Sequence, residues 1–188
     1  MFSQVSYVIL VVAVAALRLM ELKTSRRNIA ALKAKGGVEK GASLYPWMVA
    51  VHTGFLLSCV LEVWLVDRPW IPWLGASMSL VFAAGMTLRH WTIRTLGALW
   101  STRVVYVAAD PLVASGPFRW LRHPNYVGVV LEIFSLPLIH TAWLTAVVFS
   151  AANAVVVYRR IRIENEVLAS RANHNHVGES NFAVRSEE

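Results

Sequence analysis

Long stretches almost free of charge dominate this chain, and stretches of that length are solvated by lipid rather than by water. Five apolar blocks are visible: 5–17 (its stripe passing Arg18 to Met20), 45–66, 70–88, 124–139 and 142–158. The first is short for a span, but Arg18 can reach the interface along its aliphatic stem. Residues 67–69 (Asp-Arg-Pro) make a tight turn between blocks two and three, and His140-Thr141 interrupts the last two. Those two blocks read as a helical hairpin turning at the far interface. Composition agrees: 56% of the 188 residues are apolar and 15% charged, against about 25% charged in soluble domains. The expected fold is an all-α integral membrane protein of about five transmembrane helices. Residues 1–168 form one domain, and 169–188 are a polar, disordered tail.

The basic residues orient the bundle. With five spans, one side collects 18–43, 89–123 and 159 onwards, holding seven, five and five of the 18 Lys and Arg residues; only Arg68 falls on the other side. The positive-inside rule then puts the N-terminus outside and the C-terminus in the cytoplasm. The net charge of +7 is explained by topology, not by a nucleic-acid partner. No basic segment precedes the first apolar block, so it reads as a retained span rather than a cleaved leader. The single cysteine, Cys59, lies inside a block and reads as a small buried apolar residue. No Cys/His spacing suggests a metal site. Nucleotide-binding glycine loops, H-E-x-x-H and G-x-S-x-G are absent from the sequence, leaving dinucleotide folds, NTPases, zinc proteases and serine hydrolases unsupported.

Two segments on the basic side can carry chemistry. One is Gly116-Pro117-Phe118-Arg119-Trp120-Leu121-Arg122-His123-Pro124-Asn125-Tyr126-Val127-Gly128. Pro124 suits the first turn of a helix, so the fourth span is expected to start there with His123 at its mouth. Free backbone N–H groups at such a start can hold a carboxylate or phosphate. The plainer reading is a juxtamembrane anchor, with Arg at headgroups and Trp and Tyr in the interfacial belt. The other segment is Arg159–Glu166, where Arg160/Glu164 and Arg162/Glu166 are spaced four apart on one helical face. Read plainly these are surface ion pairs of a few tenths of a kcal/mol. Alternatively, the hairpin returns Glu164 to His123, where a carboxylate can hold hydroxyls or an ammonium group or manage a proton. Within the spans, Glu62 reads as a structural or interfacial acid. Glu132 either lines a cavity or pairs with His52 or Arg89.

The Gly116–Gly128 run, followed by Arg160-x-x-x-Glu164, resembles the isoprenylcysteine carboxyl methyltransferase family over roughly residues 96–168. Arg18-Leu19-Met20-Glu21-Leu22, Ser25-Arg26-Arg27-Asn28, residues 96–103 and Glu132-Ile133 are similar to a bacterial branch associated with type III polyketide synthases. Members of that branch O-methylate long-chain alkylpyrones. The resemblance implies S-adenosyl-L-methionine as cofactor, in a site formed by cytoplasmic loops at the mouth of spans four and five. It implies cofactor contacts from Gly116 (by close backbone approach), His123, Asn125, Tyr126, Glu164 and Asn165. Arg160, Glu164 and Arg103 are the implied catalytic or steering residues, and no metal is implied. The implied partners are the bilayer and a lipophilic acidic acceptor entering laterally, with Trp100, Trp120 and Tyr126 crowding the site. Where relatives commonly carry two adjacent acids, this chain has Glu164-Asn165, and a role needing charge on the second is in question. The Gly-Glu-Tyr continuation of many relatives is also absent. Competing readings are carboxyl methylation of a prenylcysteine-like lipid and a non-enzymatic scaffold or transporter. Against transport stand the missing inverted repeat and the one-sided polar residues.

Overall fold

The computed structural model describes residues 2–108, 110 and 112–185, the side chains of residues 2 and 170–185 excepted. The expected tail, 169–188, thus falls almost wholly outside the described side chains. Five helices carry the chain: α1 (Phe2–Ala34), α2 (Tyr45–Leu65), α3 (Pro72–Leu96), α4 (Pro124–Leu138) and α5 (Trp143–Arg185). Among the described residues three stretches are long and apolar enough to cross a membrane, Ser3–Ala34, Ala42–Leu65 and Trp143–Ala169; α4 is a shorter apolar helix. The chain is a helical integral membrane protein. Two short strands, β1 (Val38–Lys40) and β2 (Val104–Tyr106), pair antiparallel and are an addition to the expected all-α fold. α1 also runs further than the first apolar block, because most of the basic stretch 18–43 continues the helix as far as Ala34.

Side chains from α1, α2, α3 and α4 meet in one core, including Tyr7, Val11, Phe55, Cys59, Phe82 and Ile133. Outward-facing residues such as Ile9, Val12, Leu19, Leu57, Leu80 and Val147 are exposed, as expected of a surface solvated by lipid tails. α3 and α4 approach backbone to backbone. A Cβ added to Gly85 would lie 3.1 Å from the Gly128 carbonyl oxygen, and one on Gly128 would lie 3.0 Å from that of Gly85. Small residues permit such crossings in apolar surroundings, where packing rather than water expulsion joins helices.

The charges within the bundle are paired. Glu132 on α4 accepts a hydrogen bond from Arg18 on α1 at 2.6 Å and lies 3.4 Å from Arg89 on α3. Glu21 meets both arginines at 2.5 Å. Two cations and two anions thus tie α1, α3 and α4 together, and of the partners considered for Glu132, Arg89 is realised. Glu62 has a structural role. Its carboxylate accepts from the backbone N–H groups of Leu144 and Thr145 at 3.1 and 2.7 Å and pairs with Arg68 at 2.8 Å. It therefore caps the start of α5 from a neighbouring helix, satisfying groups the helix cannot satisfy itself.

Candidate functional site

α4 begins at Pro124 with His123 as its N-cap, and after residues 139–142 turn the chain, α5 comes back beside it. This brings together residues distant in sequence. His123 Nδ1 lies 3.2 Å from the Glu164 carboxylate, and its Nε2 lies 3.1 Å from the Asn165 amide oxygen. The Tyr126 hydroxyl donates to Glu164 and accepts from Arg160 Nε at 2.9 Å. Arg160 extends the cluster through one terminal nitrogen, which donates to the Thr102 carbonyl at 2.6 Å and contacts Met48 sulfur at 2.9 Å. The Arg160–Glu164 separation is 3.8 Å. Arg160 is thus held by three different segments and is no solvated surface pair.

The Glu164 carboxylate beside His123 raises the imidazole above its usual value near 6.5, outweighing partial burial. With a carboxylate and an amide oxygen facing the two ring nitrogens, both act as donors in the protonated ring. His123, Asn125, Tyr126, Arg160 and Glu164 all line a cavity of about 470 Å³. Its remaining wall is mostly apolar, from Leu32, Leu96, Leu99, Trp100, Phe118 and Leu168. A volume of that size lies within the range of about 300–1,000 Å³ typical of small-ligand sites, with few polar groups set in apolar walls.

Some expected placements change. Gly116 is not on the cavity wall. It adopts φ +58°, and a Cβ there would lie 2.5 Å from Thr95 Oγ1, so it serves a close turn against α3. Asn165 likewise stands behind the wall and reaches the cavity only through His123. Trp120 is 70% exposed and packs on Trp91, with ring centroids 5.7 Å apart, instead of crowding the site. Trp100 is on the wall and 4% exposed. The helix start is less open than expected: Tyr126 N–H and Val127 N–H both donate to the His123 carbonyl, at 3.1 and 3.4 Å. Pro124 has no N–H to offer. Arg103 does line the cavity, but its guanidinium is shared with Glu39 at 2.9 Å and lies 4.2 Å from the Tyr45 ring centroid.

The sequence of the same region matches the isoprenylcysteine carboxyl methyltransferase (ICMT) family over residues 77–170, a match that contains α4, α5 as far as residue 170 and every residue of the polar cluster except Met48. The chain belongs to the isoprenylcysteine carboxyl methyltransferase family. Two relatives each cover about four fifths of the chain. An uncharacterized protein, YpbQ, from Bacillus subtilis is 38% identical over 152 residues, covering 80% of this chain and 89% of the relative. An uncharacterized protein from Haemophilus influenzae is 24% identical over 156 residues, covering 82% and 90% respectively. Membership in this family makes methyl transfer at a membrane the expected chemistry of the chain. Thr102 and Met48 were not visible as parts of such a site. They bind Arg160 across separations of 58 and 112 residues, and no local pattern encodes such contacts.

Proposed function

We propose that this chain is a membrane-embedded, S-adenosylmethionine-dependent methyltransferase that O-methylates a lipophilic acidic acceptor, a long-chain alkylpyrone or related polyketide. The observation that carries this is the cavity whose polar end is His123, Asn125, Tyr126, Arg160 and Glu164. The residues fit a cofactor of this kind. Asn125 Oδ1 is buried without a hydrogen-bond partner, leaving an acceptor for an ammonium or hydroxyl donor, and the positive charge of Arg160 suits a carboxylate. When bound, S-adenosylmethionine supplies an electrophilic methyl carbon on a sulfonium. His123, Asn125, Tyr126 and Glu164 orient it, Arg160 and Arg103 steer an anionic oxygen, and the apolar wall excludes water. Holding nucleophile and electrophile in near-attack geometry accounts for much of such an acceleration.

An acceptor ionised near neutral pH needs no strong base, so Glu164 orients more than it removes a proton. The alkylpyrone reading is supported by the likeness of residues 18–28 and 96–103 to the polyketide-associated branch, and by a wall of Trp100, Phe118 and leucines suited to a flat ring with an alkyl tail. With it we propose five spans in a bacterial inner membrane, α4 and α5 being the final hairpin, with the cavity on the cytoplasmic side. Binding of S-adenosylmethionine to the detergent-solubilised protein, followed by calorimetry, tests the reading. His123→Ala and Glu164→Ala should each lose at least about 1 kcal/mol, the scale of a buried or charge-assisted hydrogen bond. Wild-type affinity in both variants refutes the site. Methylation of prenylcysteine carboxylates with alkylpyrones untouched refutes the acceptor and leaves methyl transfer standing.

A further inference from the structure

The polar cluster does not end at Arg160. The Thr102 carbonyl that accepts from Arg160 belongs to a segment held by α1, a helix outside the stretch matched by the family. Ser25, fully buried, places its hydroxyl 2.8 Å from both the Thr102 backbone nitrogen and the Thr102 hydroxyl oxygen. One turn further on, the Asn28 amide donates to the Trp100 carbonyl at 2.8 Å and to the Gly97 carbonyl at 3.0 Å. Residues 97–102 are therefore clamped at three backbone positions by two side chains of one helix. Trp100, whose carbonyl Asn28 holds, is itself a cavity wall residue.

The consequence for Arg160 is geometric. Its guanidinium has donors in a fixed planar fork. Nε is committed to the Tyr126 hydroxyl and one terminal nitrogen to the Thr102 carbonyl, so the plane is defined by those two acceptors. Tyr126 is set by α4. Thr102 lies two residues before β2 in the polar stretch between α3 and α4, and what sets it is Ser25. Loss of the Ser25 hydroxyl would leave the half-buried Thr102 N–H without this partner, and the segment would shift to satisfy it.

We infer that Ser25 and Asn28 are positioning residues for the proposed cofactor site, acting through the Thr102 carbonyl on Arg160 without touching the ligand. This rests on the methyltransferase reading above. The test is a double-mutant cycle on the full chain in detergent, with S-adenosylmethionine as the probe. Ser25→Ala and Asn28→Ala are each made in the wild type and in Arg160→Lys, which keeps the charge and removes the fork. Each α1 variant should weaken binding about fivefold in the wild type, on the scale of one net hydrogen bond, and change it little in Arg160→Lys. Equal losses in both backgrounds would reduce the two residues to general stability and overturn the inference, as would undiminished binding in either single variant. Asn28 is only partly buried, so Asn28→Ala decides the matter should Ser25→Ala fail to fold. A wild-type protein that binds no S-adenosylmethionine removes the functional reading itself, an outcome distinct from the others.

Discussion

His123 stands where two demands conflict. As N-cap of α4 it lies at the positive end of the helix dipole, which disfavours an imidazolium. Glu164 and Asn165 face its two nitrogens and favour one. The carboxylate prevails, since the His123 value is raised above 6.5. A raised value stabilises the folded state fully at pH below about 6.5, and that contribution is lost as pH rises through the raised value. Melting of the wild-type protein should therefore show a loss on going from mildly acidic to alkaline pH that His123→Asn does not show. The pair is partly exposed, so the step is expected to stay within about 1 kcal/mol; identical pH profiles for the two proteins would refute the pairing. At Asn165 the group facing the second ring nitrogen is an amide oxygen, 3.1 Å away. An amide oxygen accepts from the imidazole as a carboxylate would, and Glu164 already supplies the charge.

At the scale of elements, the α3–α4 contact is the most extensive among the described residues. Gly128 has the Arg89 Cγ 2.5 Å and the Gly85 carbonyl oxygen 3.0 Å from where a Cβ would sit. The side chain can yield; the backbone oxygen cannot. Gly128→Val should therefore part the helices and cost about 1–3 kcal/mol, the usual penalty of overpacking, with Arg89 drawn away from Glu132. Thermal denaturation in detergent checks this, and an unchanged midpoint would contradict it. The helices themselves were legible in the sequence because lipid-facing segments must satisfy their backbone internally, so hydropathy alone marks them. Their ends were less so. α1 continues past its apolar block because Leu22, Ala30, Ala31 and Leu32 remain good helix formers. The three-residue strands gave no signal, since each exists only by pairing with the other, as in Glu39 with Val105. In the site, His123, Asn125, Tyr126 and Glu164 carried recognisable spacing. Gly116 and Trp120 were misplaced because their surroundings on α3, Thr95 and Trp91, are set by tertiary packing.

For the molecule as a whole, the five spans proposed above require the 15-residue α4 to cross as one of them. At 1.5 Å per residue it is about 22 Å long, short of a hydrocarbon core near 30 Å. Its far end resolves this, because the turn at 139–142 is enclosed by protein. Thr141 donates to the Pro69 carbonyl at 2.5 Å, His140 lies 3.3 Å from the Ser3 hydroxyl, and Glu62 caps the α5 start. Irregular backbone is tolerated at membrane depth where protein satisfies it, so the turn need not reach water. Trp64, Trp70, Trp73 and Trp143, all exposed, gather at this end, as an interfacial aromatic belt would. The opposite end carries 17 of the 18 basic residues if all five helices cross. Were α4 and α5 to dip in without crossing as a pair, the C-terminus would stay on the same side, so the decisive element is α3. Its last turns carry Arg89, His90 and Arg94, with Arg89 neutralised by Glu21 and Glu132, which removes the main obstacle to its crossing. A reporter fused after Arg185 should thus be active only in its cytoplasmic form, and one placed at Arg68 only in its external form. A cytoplasmic signal at Arg68 would mean that α2 and α3 do not cross, and an external one after Arg185 would invert the assignment of the cavity to the cytoplasm.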